Sequence, residues 1–308
     1  MVVNSDVSVN ISRFYTIRYE LSAGTAGADW AFSIMDNLEF ETLSADELRD
    51  FIKNQTEKCY LLIDVRQPAE YEQGHIPGAK LMPLPEVEAR LFSLPSDRDL
   101  IFYCQSGGRS QWAASLASEG EVSEKNVYNL RNGILGWKEK ILPGYPRVQI
   151  FEKDQNLEQL LKTAMDLEKG AWRFYQYVID RYPDDPVRPI LEQVSIAEKA
   201  HANLIYRFWK RFEKNPPPFD RLYQDLKGDI LEGGQSFEDA CRLLEAAENQ
   251  GRLAVIDLAM AIEYSAFDLY RNMAENTENA EANSTFLSIA QAEKAHMRAL
   301  TRALHEQT

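Results

Sequence analysis

Apolar positions in the second half of the chain step by three and four residues. Leu161, Ala164, Glu168, Ala171, Tyr175 and Val178 share one helical face, and Ile256, Ala259, Glu263, Ala266, Tyr270 and Met273 repeat that series. A second seam, Leu191, Val194, Glu198, His201 and Ile205, is echoed by Phe286, Ile289, Glu293, His296 and Leu300. The period predicts four long helices: about 154–182, from after Pro186 to about 214, a third ending near 276, and about 281–306. Pro183 to Pro186 turns the chain after the first, and Pro216 to Pro218 stops the second. The stretch from there to about Ser236 is then a long crossover. Ser236 to Glu245 reads as a short helix or the start of a long one.

The first half carries a different pattern. Leu38 to Thr42, Tyr60 to Val65, Leu100 to Cys104 and Val127 to Leu130 read as short strands. Ser44-Ala-Asp-Glu47 is a capping box that opens a helix to about Lys53, and helices are expected at about 85–93, 108–119 and 133–142. Such alternation implies a mainly parallel sheet with helices on both faces. Pro143, Gly144 and Pro146 close this part. The chain is therefore expected to be multidomain, α/β followed by all-α. Residues 1–36 are expected as a poorly ordered extension, 37–146 as the α/β domain and 151–308 as a four-helix bundle. Regular patterning begins just after Met35, which offers an alternative start.

The helical half says one phrase twice. Ala197-Glu198-Lys199-Ala200-His201 recurs letter for letter as Ala292-Glu293-Lys294-Ala295-His296, 95 residues on, and each copy is preceded by a Glu-x-x-Ala-x-x-x-Tyr pattern at Glu168 and Glu263. Four glutamates and two histidines would then meet in one apolar core. Unpaired buried carboxylates cost several kcal/mol each, whereas two divalent ions would offset four negative charges. A glutamate from each of two helices with Glu-x-x-His from each of the other two is the dinuclear arrangement of ferritin-like bundles. One copy alone would read as solvated glutamates; two matched copies reverse that. Tyr175 and Tyr270, seven residues past Glu168 and Glu263, are candidate hydrogen-bond partners for the metal carboxylates, although a buried tyrosine needs some partner in any case.

Composition narrows the setting. A net charge of -14 argues against nucleic acid as a partner, and no apolar run reaches transmembrane length. Cys59, Cys104 and Cys241 lack paired spacing, which suits a reducing cytoplasm better than a disulfide scaffold.

Cys104 ends an apolar strand, and Gln105, Ser106, Gly107, Gly108, Arg109 and Ser110 lead into a helix. A glycine-bearing loop at a helix start presents backbone N–H groups that lower a thiol pKa and hold an anion. Cys104 is the candidate nucleophile, Arg109 the candidate anchor for an anionic substrate, and the intervening loop its binding cradle. The competing reading is an inert cysteine at a buried strand end, which the Gly-Gly-Arg after it weakens.

Four signatures in this half resemble the rhodaneses: Asp64-Val65-Arg66, Glu70-Tyr71, Gly74-His75-Ile76-Pro77-Gly78-Ala79, and the loop Cys104 to Ser110. Asn132-Gly133 with Trp137 is similar to the family's closing motif, with Asn132 in place of its first glycine, a departure expected to lie far from Cys104. The resemblance implies a rhodanese-like parallel sheet and sulfur transfer: Cys104 takes a sulfane sulfur from thiosulfate or a persulfide and passes it to a thiol acceptor. The six-position loop is similar to the sulfurtransferase form. His75 is then a packing residue of the connector.

The helical half resembles the rubrerythrin branch of the ferritin-like superfamily through Glu168, Glu198, His201, Glu263, Glu293 and His296. That resemblance implies two iron ions, with manganese and zinc as alternatives, peroxide or dioxygen as oxidant, and a homodimer. The family's rubredoxin module needs two Cys-x-x-Cys pairs, which this chain lacks, and its further glutamate one turn after Glu263 is replaced by Ala266. The fusion suggests reduced sulfur as electron donor. Two other readings stay open: a sulfurtransferase with a structural, dimerising bundle, and a metal store or sensor with a vestigial rhodanese.

Overall fold

A computed structural model describes residues 40–146, 156–246 and 252–305; the expectation for 1–36 lies outside them. The first part is a five-stranded parallel sheet: β1 (Glu41–Leu43), β2 (Tyr60–Asp64), β3 (Lys80–Leu81), β4 (Asp99–Tyr103) and β5 (Val127–Leu130), in the order β1-β5-β4-β2-β3. Every residue of β2 and β5 is buried, as expected for strands covered on both faces. The helices are α1 (Ala45–Asn54), α2 (Pro68–Gln73), α3 (Leu84–Ala89), α4 (Gly108–Glu119) and α5 (Gly133–Gly136). Ser44 and Glu47 form the expected capping box at α1.

One expectation changes here, and two elements stand where none was expected. The helix expected over 133–142 stops at Gly136, because Trp137 turns extended and Leu142 pairs with the His75 backbone instead. The short α2 and β3 carry too few residues to show a period.

The second part is a bundle of α6 (Leu157–Arg181), α7 (Arg188–Trp209), α10 (Arg252–Asn276) and α11 (Ala280–His305), with α8 (Phe219–Asp225) and α9 (Phe237–Ala246) in the crossover. The helices pair α6 with α7 and α10 with α11, one pair per sequence repeat. Helix α7 ends at Trp209, short of the expected 214, where the Lys210 and Arg211 N–H groups tighten onto Tyr206 and Phe208. Asn156 caps α6 through Gln159.

The sheet domain docks on α10 and α11. Glu57 is fully buried, 3.3 Å from Arg271 and ion-paired with Lys294. Arg271, itself fully buried, donates to the Glu57 carbonyl at 2.7 Å and lies 4.7 Å from the Tyr60 ring centroid. Lys294 also donates to the carbonyls of Ile52 and Gln55, both at 2.7 Å. Nearby, Asp268 accepts from Gly78 N–H at 2.7 Å and sits 3.1 Å from His75 Nε2. Gly78 has φ +79, and a Cβ there would lie 2.7 Å from the Phe267 ring, so this contact needs glycine twice over.

Removing one member of a buried ion cluster leaves the others uncompensated. Glu57→Ala is expected to lower unfolding stability by about 3–5 kcal/mol, read by urea denaturation. A loss within about 1 kcal/mol, the range of exposed pairs, would show that the cluster does not hold the parts together.

Candidate functional site

Two sites are built. The first stands at the carboxyl end of β4. Cys104 is buried, and its Sγ accepts from Gly107 N–H at 3.1 Å and from the Ser110 hydroxyl at 3.5 Å. Gly107 caps α4 with φ 101, a left-handed backbone that turns the loop N–H groups inward. Burial opposes the thiolate, but the Ser110 hydroxyl and the N–H groups of Ser110, Ser106 and Gly107 outweigh it and lower the Cys104 pKa. Ser110 is itself held by Asn129, whose Oδ1 accepts at 2.7 Å.

Arg109 makes a two-pronged pair with Glu70, at 2.7 and 2.6 Å. The Arg109 hydrogen bonds, with a lesser contribution from Gln67 N–H, pull Glu70 down to about 2 against burial. Arg109 is held charged chiefly by Glu70, with a smaller contribution from Cys104, so it is already engaged by Glu70. Arg66 pairs with Asp64 at 2.7 Å, donates to the Gly74 carbonyl at 2.7 Å and reaches Gln105 Oε1 at 3.3 Å. His75 stacks on Tyr71 with centroids 3.9 Å apart; it packs the connector and also reaches Asp268 in the bundle.

The closing motif is not far from Cys104. A Cβ at Gly133 would lie 2.2 Å from the Cys104 carbonyl oxygen, which accepts from Ile134 N–H at 2.8 Å. Asn132 takes φ 64, a left-handed conformation that asparagine tolerates better than other side chains. Its place beside the loop was hidden by sequence distance.

The second site lies in the bundle core. Glu168, Glu198, His201 and Glu293 form one donor set; Glu198, Glu263, Glu293 and His296 form another, and within each set the donor atoms lie within 4.8 Å of one another. All six residues expected from the repeat are thus brought together, and Glu198 and Glu293 belong to both sets. The imidazoles face each other with centroids 5.3 Å apart. The tyrosines cross between repeats: Tyr175 donates to Glu263 and Tyr270 to Glu168.

Burial and mutual repulsion set the charges of these groups, and the two imidazoles pull Glu293 down against its burial. Burial, then Glu293 and Glu263, push Glu198 far up, and burial lifts Glu263 to about 7 against the pull of His296. Burial opposes charging of His296, but Glu263 and Glu293 carry it to about 11. One half of the cluster is hydrogen-bonded and the other is not: His296 Nδ1 lies 2.9 Å from Glu263 Oε2 and 3.0 Å from Glu293 Oε2. His201 Nδ1 lies 2.9 Å from Glu293 Oε1 and 3.3 Å from Glu168 Oε2, yet all three atoms lack hydrogen-bond partners. Close donors without hydrogen-bond geometry fit a cation between them.

One residue was missed. Glu232, on the crossover, is buried with both oxygens unpartnered. Its burial and the charges of Glu168, Glu198 and Glu293 drive its pKa up. It lies outside the repeat, so no periodic signal marked it.

A family model described as rhodanese-like domain matches residues 44–140. A sulfurtransferase of Allochromatium vinosum is 44% identical over 84 residues, covering 27% of this chain and 76% of that protein. The chain belongs to the rhodanese-like family. A ferritin-like domain follows the rhodanese-like domain, matched over residues 157–306. The uncharacterized Bacillus subtilis protein YqhL is 40% identical over 80 residues, covering 26% of this chain and 62% of that one. A probable adenylyltransferase/sulfurtransferase, MoeZ of Mycobacterium tuberculosis, is 32% identical over 129 residues, covering 41% of this chain and 31% of that protein. The chain therefore spans less than two thirds of these last two. Among the described residues, no helix is long and apolar enough to cross a membrane.

The rhodanese-like loop makes a titration testable. The Cys104 thiolate absorbance, taken as a difference from Cys104→Ser, should reach half-maximum below the ordinary thiol pH of 9.0. Ser110→Ala removes a donor to the charged form and should move that midpoint to higher pH; no movement would remove Ser110 from the account.

Proposed function

We propose that the chain is a sulfurtransferase whose Cys104 carries a persulfide, joined to a ferritin-like domain of rubrerythrin type that holds two metal ions. The lowered Cys104 pKa within a ring of N–H donors supports the first half. The Cys104 thiolate attacks the outer sulfur of thiosulfate, and sulfite leaves with the electron pair of the broken S–S bond. An acceptor thiolate then takes that sulfur, and Cys104 returns to the thiolate. Gln105, Ser106, Gly107, Gly108 and Ser110 cradle the donor. Arg109, steadied by Glu70, faces its anionic end.

The single observation that carries the second half is the pair of donor sets sharing Glu198 and Glu293. Carboxylate and imidazole together suit iron, with manganese or zinc as alternatives. When bound, the ions supply Lewis acidity and, as iron, electrons for reducing peroxide or dioxygen. The protein's own part is to hold four carboxylates against their repulsion, with Tyr175 and Tyr270 fixing Glu263 and Glu168. The electron source in this reading is the persulfide on Cys104: its outer sulfur gives up two electrons and takes an oxygen from water with release of two protons, and peroxide takes up the two electrons and two protons to leave as two waters. A purely structural bundle is disfavoured by the unpartnered Glu168, Glu293 and His201 atoms.

Two measurements test this. Metal analysis should find about two ions per chain, and Glu198→Ala, which breaks both sets, should lower that content sharply; unchanged content would remove Glu198 as a ligand. Thiosulfate should leave a persulfide on Cys104 by intact mass and should drive peroxide consumption in the wild type. If Cys104→Ala consumed peroxide equally fast with thiosulfate, the coupling would be lost while both separate activities stood.

A further inference from the structure

The crossover is pressed onto the bundle by a built contact. Asp166 Oδ1 accepts from the N–H groups of Lys227 and Gly228, at 2.8 and 3.1 Å. Arg173 donates to the carbonyls of the same two residues, at 2.6 and 2.9 Å, and to Asp229 at 3.0 Å. A Cβ at Gly170 would lie 2.1 Å from the Ile230 carbonyl oxygen, and one at Gly233 would lie 2.9 Å from Ser265 Cβ. No larger residue fits at Gly170 without displacing that backbone.

Gly170 and Ser265 are 95 residues apart, the repeat offset, and each stands two residues after a donor glutamate, Glu168 and Glu263. The crossover therefore bridges α6 and α10 at equivalent positions, level with the metal donors. Glu232 falls between the two points of contact. A short turn fixes it there: Leu231 N–H donates to the Gln235 carbonyl at 2.9 Å and Gly234 N–H to the Leu231 carbonyl at 2.7 Å. Glu232 is 1% exposed. Neither of its oxygens has a hydrogen-bond partner in another residue, and the charges acting most strongly on it are Glu168, Glu198 and Glu293. Its oxygens stand outside the two four-residue donor sets, yet an unsatisfied buried carboxylate that feels three like charges is stabilised by a cation between them.

We infer that Glu232 is a seventh donor to the metal centre, serving the ion held by Glu168, Glu198, His201 and Glu293. The inference rests on the metal-binding reading above. It also makes the two ions unequal. The helices supply matching donors to each, while the crossover adds a carboxylate to one only.

Cobalt(II) is the probe. Wild-type protein loaded with two equivalents is compared with Glu232→Gln by chelator competition and by visible absorption. The expected result is that one ion of the variant is bound at least about tenfold more weakly and that its absorption changes, while the other ion keeps its affinity. Two ions bound with unchanged affinity and unchanged spectrum would overturn the role of Glu232 and leave the six-residue site standing. A wild type that takes up no cobalt would overturn both. Metal-free Glu232→Met should melt at or above the metal-free wild type, because it removes an uncompensated polar group, and should gain less on cobalt loading. A metal-free variant that melts lower would make Glu232 a packing residue and overturn the inference.

Discussion

Four carboxylates sit in one apolar core with two imidazoles, and this concentration of negative charge governs the bundle. Each helix must present its acid at the same level, so the repeat cannot slip by a turn without separating them. Tyr175 and Tyr270 tie each repeat to the other's glutamate, which fixes the relation of α6 to α10. The crossover clamp on Asp166 and Arg173 holds a further acid against the same repulsion. A core assembled this way without cations would spend much of its hydrophobic stabilisation on desolvation.

The helices that carry the candidate metal donors of the second repeat also carry the docking residues. On α10, Glu263, Ala266 and Tyr270 face inward, while Phe267, Asp268 and Arg271 meet the sheet domain. On α11, Glu293 and His296 point to the core, while Lys294 reaches Glu57. A period of 3.6 residues makes this possible, because adjacent positions fall on faces about 100° apart. Glu293 and Lys294 are consecutive, so the candidate metal site and the domain contact share one turn of backbone.

The seams of the four helices and the six donors were legible because they repeat with the period of a helix face. The Cys104 loop was legible because strand, glycine and helix follow one another within a few residues. Glu232 was not, since its burial depends on Gly170 and Gly233 letting a non-helical segment approach two helices. The docking cluster was equally hidden: Glu57, Arg271 and Lys294 share no spacing or motif in the sequence, and only the fold brings them together. The closing motif at Asn132 and Gly133 was placed wrongly because contacts between strand ends cross the sheet, not the sequence.

A duplicated helix pair has a duplicated outer face, and here the two copies have different occupants. On the second repeat, Phe267, Asp268 and Lys294 lie under the sheet domain. Their counterparts on the first repeat, Trp172, Arg173 and Lys199, lie under the chain's own crossover: Trp172 against Tyr223, Arg173 on Gly228 and Asp229, Lys199 on Asp220. The copies have thus parted in use: the second repeat seats a neighbouring domain, while the first seats its own connecting segment and leaves Ile196 exposed.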